Sequence, residues 1–166
     1  MEAAADTNLA RRDFKFSGHE CSILVRKDLQ GLFPERDIES EPLYVVALSH
    51  ATVHDMQLWS EEIENERCSI YNKLILTAIE MANKLKDLGY WADFIDPYSG
   101  KPYLSPWTNE TLFEVDERMS YFGFRLADMG CCKCLIHPEY GSRAVVGLLF
   151  TTATLTNDLL EQLAAL

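Results

Sequence analysis

The sequence predicts an α+β fold, a sheet covered by helices. Three observations carry that expectation. Apolar runs of strand length are interspersed with helical stripes, one stripe is far longer than the other two, and the spacing is too uneven for a regular parallel αβ repeat. At 166 residues the chain can bury one core of its own, so a single folded unit over 21–166 is expected, preceded by a flexible amino-terminal tail over 1–20. That tail has no hydrophobic periodicity and carries Ala3-Ala4-Ala5 and Arg11-Arg12.

Ser22 can cap a short helix over 23–33, because Leu24, Val25, Leu29, Leu32 and Phe33 recur at helical spacing and Pro34 stops it. The run Leu43 to Leu48 follows Pro42 and is rich in β-branched and aromatic residues, which fits a buried strand. From about Leu58 to Leu88, Ile63, Ile70, Leu74, Ala78, Met81, Leu85 and Leu88 repeat every three or four residues. Glutamates crowd the first turns of this helix and Gly89 ends it. Trp59, at its entry, is expected to pack where the helix meets the sheet.

Trp91–Ile95 reads as a strand closed by the turn Asp96-Pro97-Tyr98-Ser99-Gly100. Pro102 and Pro106 make 101–124 irregular, with a turn or two of helix over 116–121 before Gly123. Cys131–Ile136 and Ala144–Thr151 are both β-prone, and the loop chemistry between them predicts that they pair as an antiparallel hairpin. Thr156 or Asn157 caps a last helix carrying Leu159, Leu160 and Leu163.

Composition narrows the function classes. A formal net charge of −11 repels phosphate backbones and no Lys/Arg stripe offsets it, which argues against nucleic acid. No apolar run approaches the ~20 residues needed to cross a bilayer, and the polar amino end has no signal core, so a soluble, non-secreted chain is expected. Cys21, Cys68, Cys131, Cys132 and Cys134 are odd in number and clustered, unlike a disulfide framework, which favours a reducing compartment.

The densest chemical signal is Gly130-Cys131-Cys132-Lys133-Cys134-Leu135-Ile136-His137. Three thiols and an imidazole invite a zinc reading, but strand alternation opposes it, because Cys131 and Lys133 would leave one face and Cys132, Cys134 and Ile136 the other. On that pattern Cys132 and Cys134 point to the core. Cys131 follows Gly130 at the strand mouth, with the Lys133 ammonium on its side to favour thiolate, the form that binds soft metals. No pattern places His50, His54 or His137 beside a thiol with an orienting carboxylate, as a Cys/His hydrolase requires. Asp93, Asp96, Asp116 and Glu117 read as turn formers and solvated groups rather than as an acid–base pair. Neither a phosphate-cradling glycine loop nor a dinucleotide fingerprint is present.

Several linked strings then match one family in order. Asp55-Met56 with Trp59-Ser60-Glu61-Glu62, Gly89 through Pro97, Thr111-Leu112-Phe113-Glu114 with Asp116-Glu117-Arg118, Gly130-Cys131-Cys132-Lys133, and Val145-Val146-Gly147 with Phe150-Thr151 closely resemble the CblD-type cobalamin trafficking proteins. The resemblance runs from about Cys21 to Thr154. It implies an antiparallel-rich sheet with flanking helices, related to the flavin-dependent nitroreductases but without flavin. It also implies an adaptor that catalyses no turnover, docks on a cobalamin-loaded CblC-type processing protein, and helps direct the cofactor to methionine synthase or methylmalonyl-CoA mutase.

The family's functional cysteine corresponds to Cys131, expected to coordinate the cobalt of partner-held cobalamin, with no cofactor bound by the chain alone. Cys134 and the loop Pro138-Glu139-Tyr140 depart from the vertebrate pattern. A cytoplasmic location follows, with a mitochondrial form when the amino end is longer, and a homodimer is left open. The alternative from another class is a flavin- or thiol-dependent reductase of the same fold.

Overall fold

The computed structural model describes residues 13–106 and 108–166. Its first strand, β1 (Phe14–Glu20), leads into helix α1 (Ile23–Leu29), capped as expected when the Ser22 hydroxyl accepts the Val25 N–H at 3.4 Å. A 3-10 turn over Gln30–Leu32 follows. Strand β2 (Tyr44–Ala51) precedes the long helix α2 (Glu61–Asp87), whose Ser60 hydroxyl accepts the Ile63 N–H at 3.2 Å. Glu61, Glu62 and Glu64 in its first turn and Lys84 and Lys86 in its last complement the helix dipole. Strand β3 (Ala92–Phe94) and a 3-10 helix (Glu117–Phe122) come next. The chain ends with β4 (Arg125–Asp128), β5 (Lys133–Ile136), β6 (Ala144–Thr151) and helix α3 (Asn157–Ala164), which Thr156 caps.

The main sheet has the order β1-β2-β6-β3, every neighbouring pair antiparallel. Antiparallel pairing with helices set against the sheet bears out the α+β expectation. One face carries Val46, Leu48, Val145, Leu149 and Phe94, and α2 lays Ile70, Leu74, Ala78, Met81 and Leu85 against it. The opposite face carries Val45, Ala47, Val146, Leu148 and Phe150, covered by α1, both 3-10 segments and the loop around Leu112. Coverage of both faces explains why β2 and β6 read as unbroken apolar runs in place of alternating ones. The anticipated stripe of α2 is buried from Ile63 to Leu85, whereas Leu88 is exposed because the helix has ended at Asp87.

Three expectations need correction. The flexible tail expected over 1–20 does not extend that far, since Phe14–Glu20 forms β1 against β2; residues 1–12 lie outside the described residues. The cause is a period-two signal, Phe14 and Phe16 alternating with Lys15 and Ser17, which puts both rings on the α2 side of the sheet. The hairpin expected between Cys131–Ile136 and Ala144–Thr151 does not form. Strand β5 pairs with β4 in a separate two-stranded sheet, while β6 is bordered by β2 along its whole length and on its other edge by β3 over Leu149–Thr151, with the Glu114 carboxylate taking the Val146 N–H beyond. Finally, Trp59 is 80% exposed: it precedes the Ser60 cap of α2, whose first buried residue is Ile63.

Candidate functional site

Strands β4 and β5 run in register from Arg125↔Ile136 to Asp128↔Lys133. Past that last pair the Met129 N–H donates to the Cys132 carbonyl at 2.8 Å, leaving Gly130 and Cys131 as the two central residues of the turn. Gly130 has φ 85°, the sign demanded of the first central residue in the tight turns that suit a twisted hairpin. Its N–H donates to the Asp128 carboxylate at 2.9 Å, which holds the turn from its own strand. Cys131 therefore sits at the apex of a hairpin, one step further out than the strand mouth expected for it.

This geometry changes the reading of its neighbours. Alternation begins only at Lys133, so Cys132 shares the exposed turn with Cys131 instead of pointing to the core. The two sulfurs are 3.6 Å apart and share a weak hydrogen bond. That bond to Cys131, followed by the charge of Cys131, pushes the Cys132 thiol up. Cys134 is buried as expected and packs with Met56 and Ile63, which ties the hairpin to the start of α2. Burial, and then the nearby Glu114 and Asp55 charges, push the Cys134 thiol up, which with its burial withholds it from metal chemistry. Lys133, expected to favour the Cys131 thiolate, directs its ammonium to Glu117 on the Glu117–Phe122 3-10 helix at 3.1 Å. Both groups are exposed, so the pair is a screened one.

The remaining candidates serve the fold. Asp93 is fully buried, its carboxylate accepting the Phe94 and Leu104 N–H groups at 2.8 Å and the Ser105 hydroxyl. The solvated, turn-forming reading of that residue is wrong: from within β3 it ties the strand to the loop at Leu104 and Ser105. Asp96 accepts from Tyr98 and Ser99 within its turn, and Asp116 caps the 3-10 helix while pairing with Arg118. His54 is bound to Glu66 at 2.9 Å and His50 to the Ala51 carbonyl, so neither addresses a thiol. Among the described residues no three His, Cys, Asp or Glu side chains converge to hold a metal ion.

What the hairpin offers chemically is one or two soft sulfur donors on an exposed apex. Such a donor can complete the coordination of a metal whose other ligands come from elsewhere. The model of the family described as Methylmalonic aciduria and homocystinuria type D protein matches residues 2–164. The chain belongs to that family.

Several curated relatives of the chain are named cobalamin trafficking protein CblD. The protein of Rattus norvegicus is 44% identical over 144 residues, covering 87% of the chain and 48% of the relative. That of Homo sapiens is 42% identical over 164 residues, covering 96% and 55% respectively, and that of Mus musculus is 41% identical over the same length. The chain thus spans about half the length of these relatives. Sequence reasoning singled out Cys131, placing it at a strand mouth, but missed the exposure of Cys132 and the Glu117 partner of Lys133. A glycine placed two residues after Asp128, at the start of the cysteine cluster, was the available sign of a turn there.

Proposed function

We propose that this chain acts in cobalamin trafficking as an adaptor, docking on a cobalamin-loaded CblC-type protein and coordinating cobalt through the Cys131 thiolate. The observation that carries the reading is the position of Cys131: exposed, second in a two-residue turn, on a hairpin anchored through Cys134 to a long helix. A corrin held on another protein presents only one axial face, so a donor must project beyond its scaffold to reach the metal. An apex cysteine does so, whereas Cys134 and Cys21 are buried. The names of the relatives supply the cofactor.

In this reading the chain binds no cofactor alone and turns over no substrate. Lys133, expected to favour the thiolate, has its ammonium paired with Glu117 at 3.1 Å, which moderates that influence. The cofactor then passes to methionine synthase or methylmalonyl-CoA mutase, and the adaptor works in the cytoplasm. No helix of the described residues is long and apolar enough to cross a membrane.

The test is the absorbance spectrum on mixing with cobalamin-loaded CblC-type protein. A cobalt–sulfur band should form with the wild type and with Cys132→Ser, and vanish with Cys131→Ser. Equal spectra for the wild type and Cys131→Ser would remove Cys131 from the mechanism. A flavin spectrum in the purified protein would favour a reductase instead.

A further inference from the structure

We propose that the cavity at the base of the β4–β5 hairpin, remote from its cysteine apex, binds a small uncharged molecule with a ring-shaped apolar body and a hydrogen-bond acceptor. The cavity measures about 270 Å³ and lies between β1, β2 and the loops that enter β4 and leave β5. That is near the lower end of ordinary ligand pockets, room for one ring with a substituent or two.

Its polar groups are built into the fold. His137 is 7% exposed, and its Nδ1 accepts the backbone N–H groups of Glu139 and Tyr140 at 3.0 and 3.1 Å. Two donors on one nitrogen require that nitrogen to be unprotonated, so the ring hydrogen of the neutral imidazole is on Nε2. Nε2 has no hydrogen-bond partner among the described residues, and His137 lines the cavity. Ser49 is 3% exposed and lines the same cavity, and its hydroxyl has no partner among the described residues either. Both donors belong to residues more than nine-tenths buried and open onto one hollow where solvent still reaches them, so an acceptor placed there would meet two donors without partners among the described residues.

The apolar part comes from Phe122 and Phe124, both buried, which wall the cavity beside His19. His19 is already engaged with the Ser17 hydroxyl at 3.1 Å. Burial pushes both imidazoles below their ordinary value, which keeps them neutral near pH 7. At the rim Lys15 is paired with Glu139, so the charges there cancel. The net charge of −11 also disfavours an anion. An uncharged carbonyl or ring nitrogen on a planar body meets every one of these conditions. The site does not depend on the cobalt reading.

The experiment is a titration of the whole chain, uniformly 15N-labelled, with benzamide, and separately with benzoate, followed by backbone and imidazole NMR signals. Benzamide should shift Ser49, Phe124 and His137 with a Kd of about 1 mM, normal for so small a fragment. Ser49→Ala removes one donor and should weaken binding about threefold to tenfold. Ser49→Val also fills the space and should weaken it further. Unchanged sheet signals in both variants show that the fold is intact. Absence of shifts at 20-fold excess over ~1 mM, shifts confined to other surfaces, or benzoate binding as tightly as benzamide would each overturn the proposal.

Discussion

Gly147 in the middle of β6 and Gly130 at the apex of the β4–β5 hairpin are both glycines for opposite reasons. A Cβ at Gly147 would lie 2.3 Å from Cδ1 of Leu74 and 2.8 Å from its Cδ2, so α2 can approach the sheet only because no side chain is there. A Cβ at Gly130 would meet nothing within 4 Å; there the requirement is φ 85°, which other residues adopt with strain. One region is closed by packing on both sides, and the other is open and held mainly by its own turn. The molecule thereby separates what folds it from what it presents, so substitutions at the apex can change chemistry without touching the core.

The largest effect that would test this division is in the sheet. Gly147→Val should destabilise the protein by about 3 kcal/mol or more, because the γ-carbons enter space held by Leu74 and β6 cannot shift without disturbing β2 and β3. Urea denaturation reads it directly. A loss below about 1 kcal/mol would mean that α2 sits less firmly on β6 than its contacts imply.

Glu114 adds a pH-dependent term to the same strand. Its carboxylate accepts the Val146 N–H at 2.9 Å, and burial pushes it up from 4.5 to about 7, against the lowering effects of that bond and of Arg67. A carboxyl raised in the folded state favours its protonated form. Its contribution is therefore complete below about pH 4.5 and is lost as pH climbs through about 7. Glu114→Gln keeps an acceptor for Val146 and cannot ionise. It should be more stable than the wild type at pH 8 by about 1–2 kcal/mol, discounted for partial exposure, and should lose that advantage by pH 5.

At the apex the expected cost falls. Gly130→Ala should cost about 1 kcal/mol, the penalty of positive φ without a clash. The hairpin amides between Asp128 and Lys133 should exchange faster while those of β2 and β6 stay protected. Faster exchange throughout the sheet would show that the apex and the core are one cooperative unit.

Much of the scaffold was legible because its signals are local. Ser22, Ser60 and Thr156 cap the helices that follow them, and the α2 stripe falls on the sheet as its spacing requires. Pairing was not legible, since β propensity says that Cys131–Ile136 is extended without saying which strand lies beside it. Arg125–Asp128 has only four residues, half of them charged, and gave no strand signal, so β5 was assigned to the wrong neighbour. That error carried into the site: continuous alternation buried Cys132, whereas a turn exposes it. The cavity at His137 had no sequence signature, because Lys15, Ser17, His19 and Ser49 share a face only once β1 pairs with β2 in register, Lys15 opposite Ser49.

The smallest stability effect belongs to the residue with the largest proposed functional one. The Cys131 side chain is exposed, and its one hydrogen bond among the described residues is the weak sulfur contact with Cys132. The Met129–Cys132 turn is closed by backbone groups and by the Gly130 conformation, neither of which involves the sulfur. Cys131→Ser should therefore leave the urea midpoint within about 0.5 kcal/mol of the wild type, as for surface positions generally. Serine keeps a donor and acceptor at nearly the same place but replaces a soft sulfur by a hard oxygen, a poor match for cobalt. An unchanged midpoint with the cobalt–sulfur band lost would locate the defect in coordination. A loss of 2 kcal/mol or more would mean that the apex thiol is part of the fold, and that its chemistry and its packing cannot be assigned to different regions.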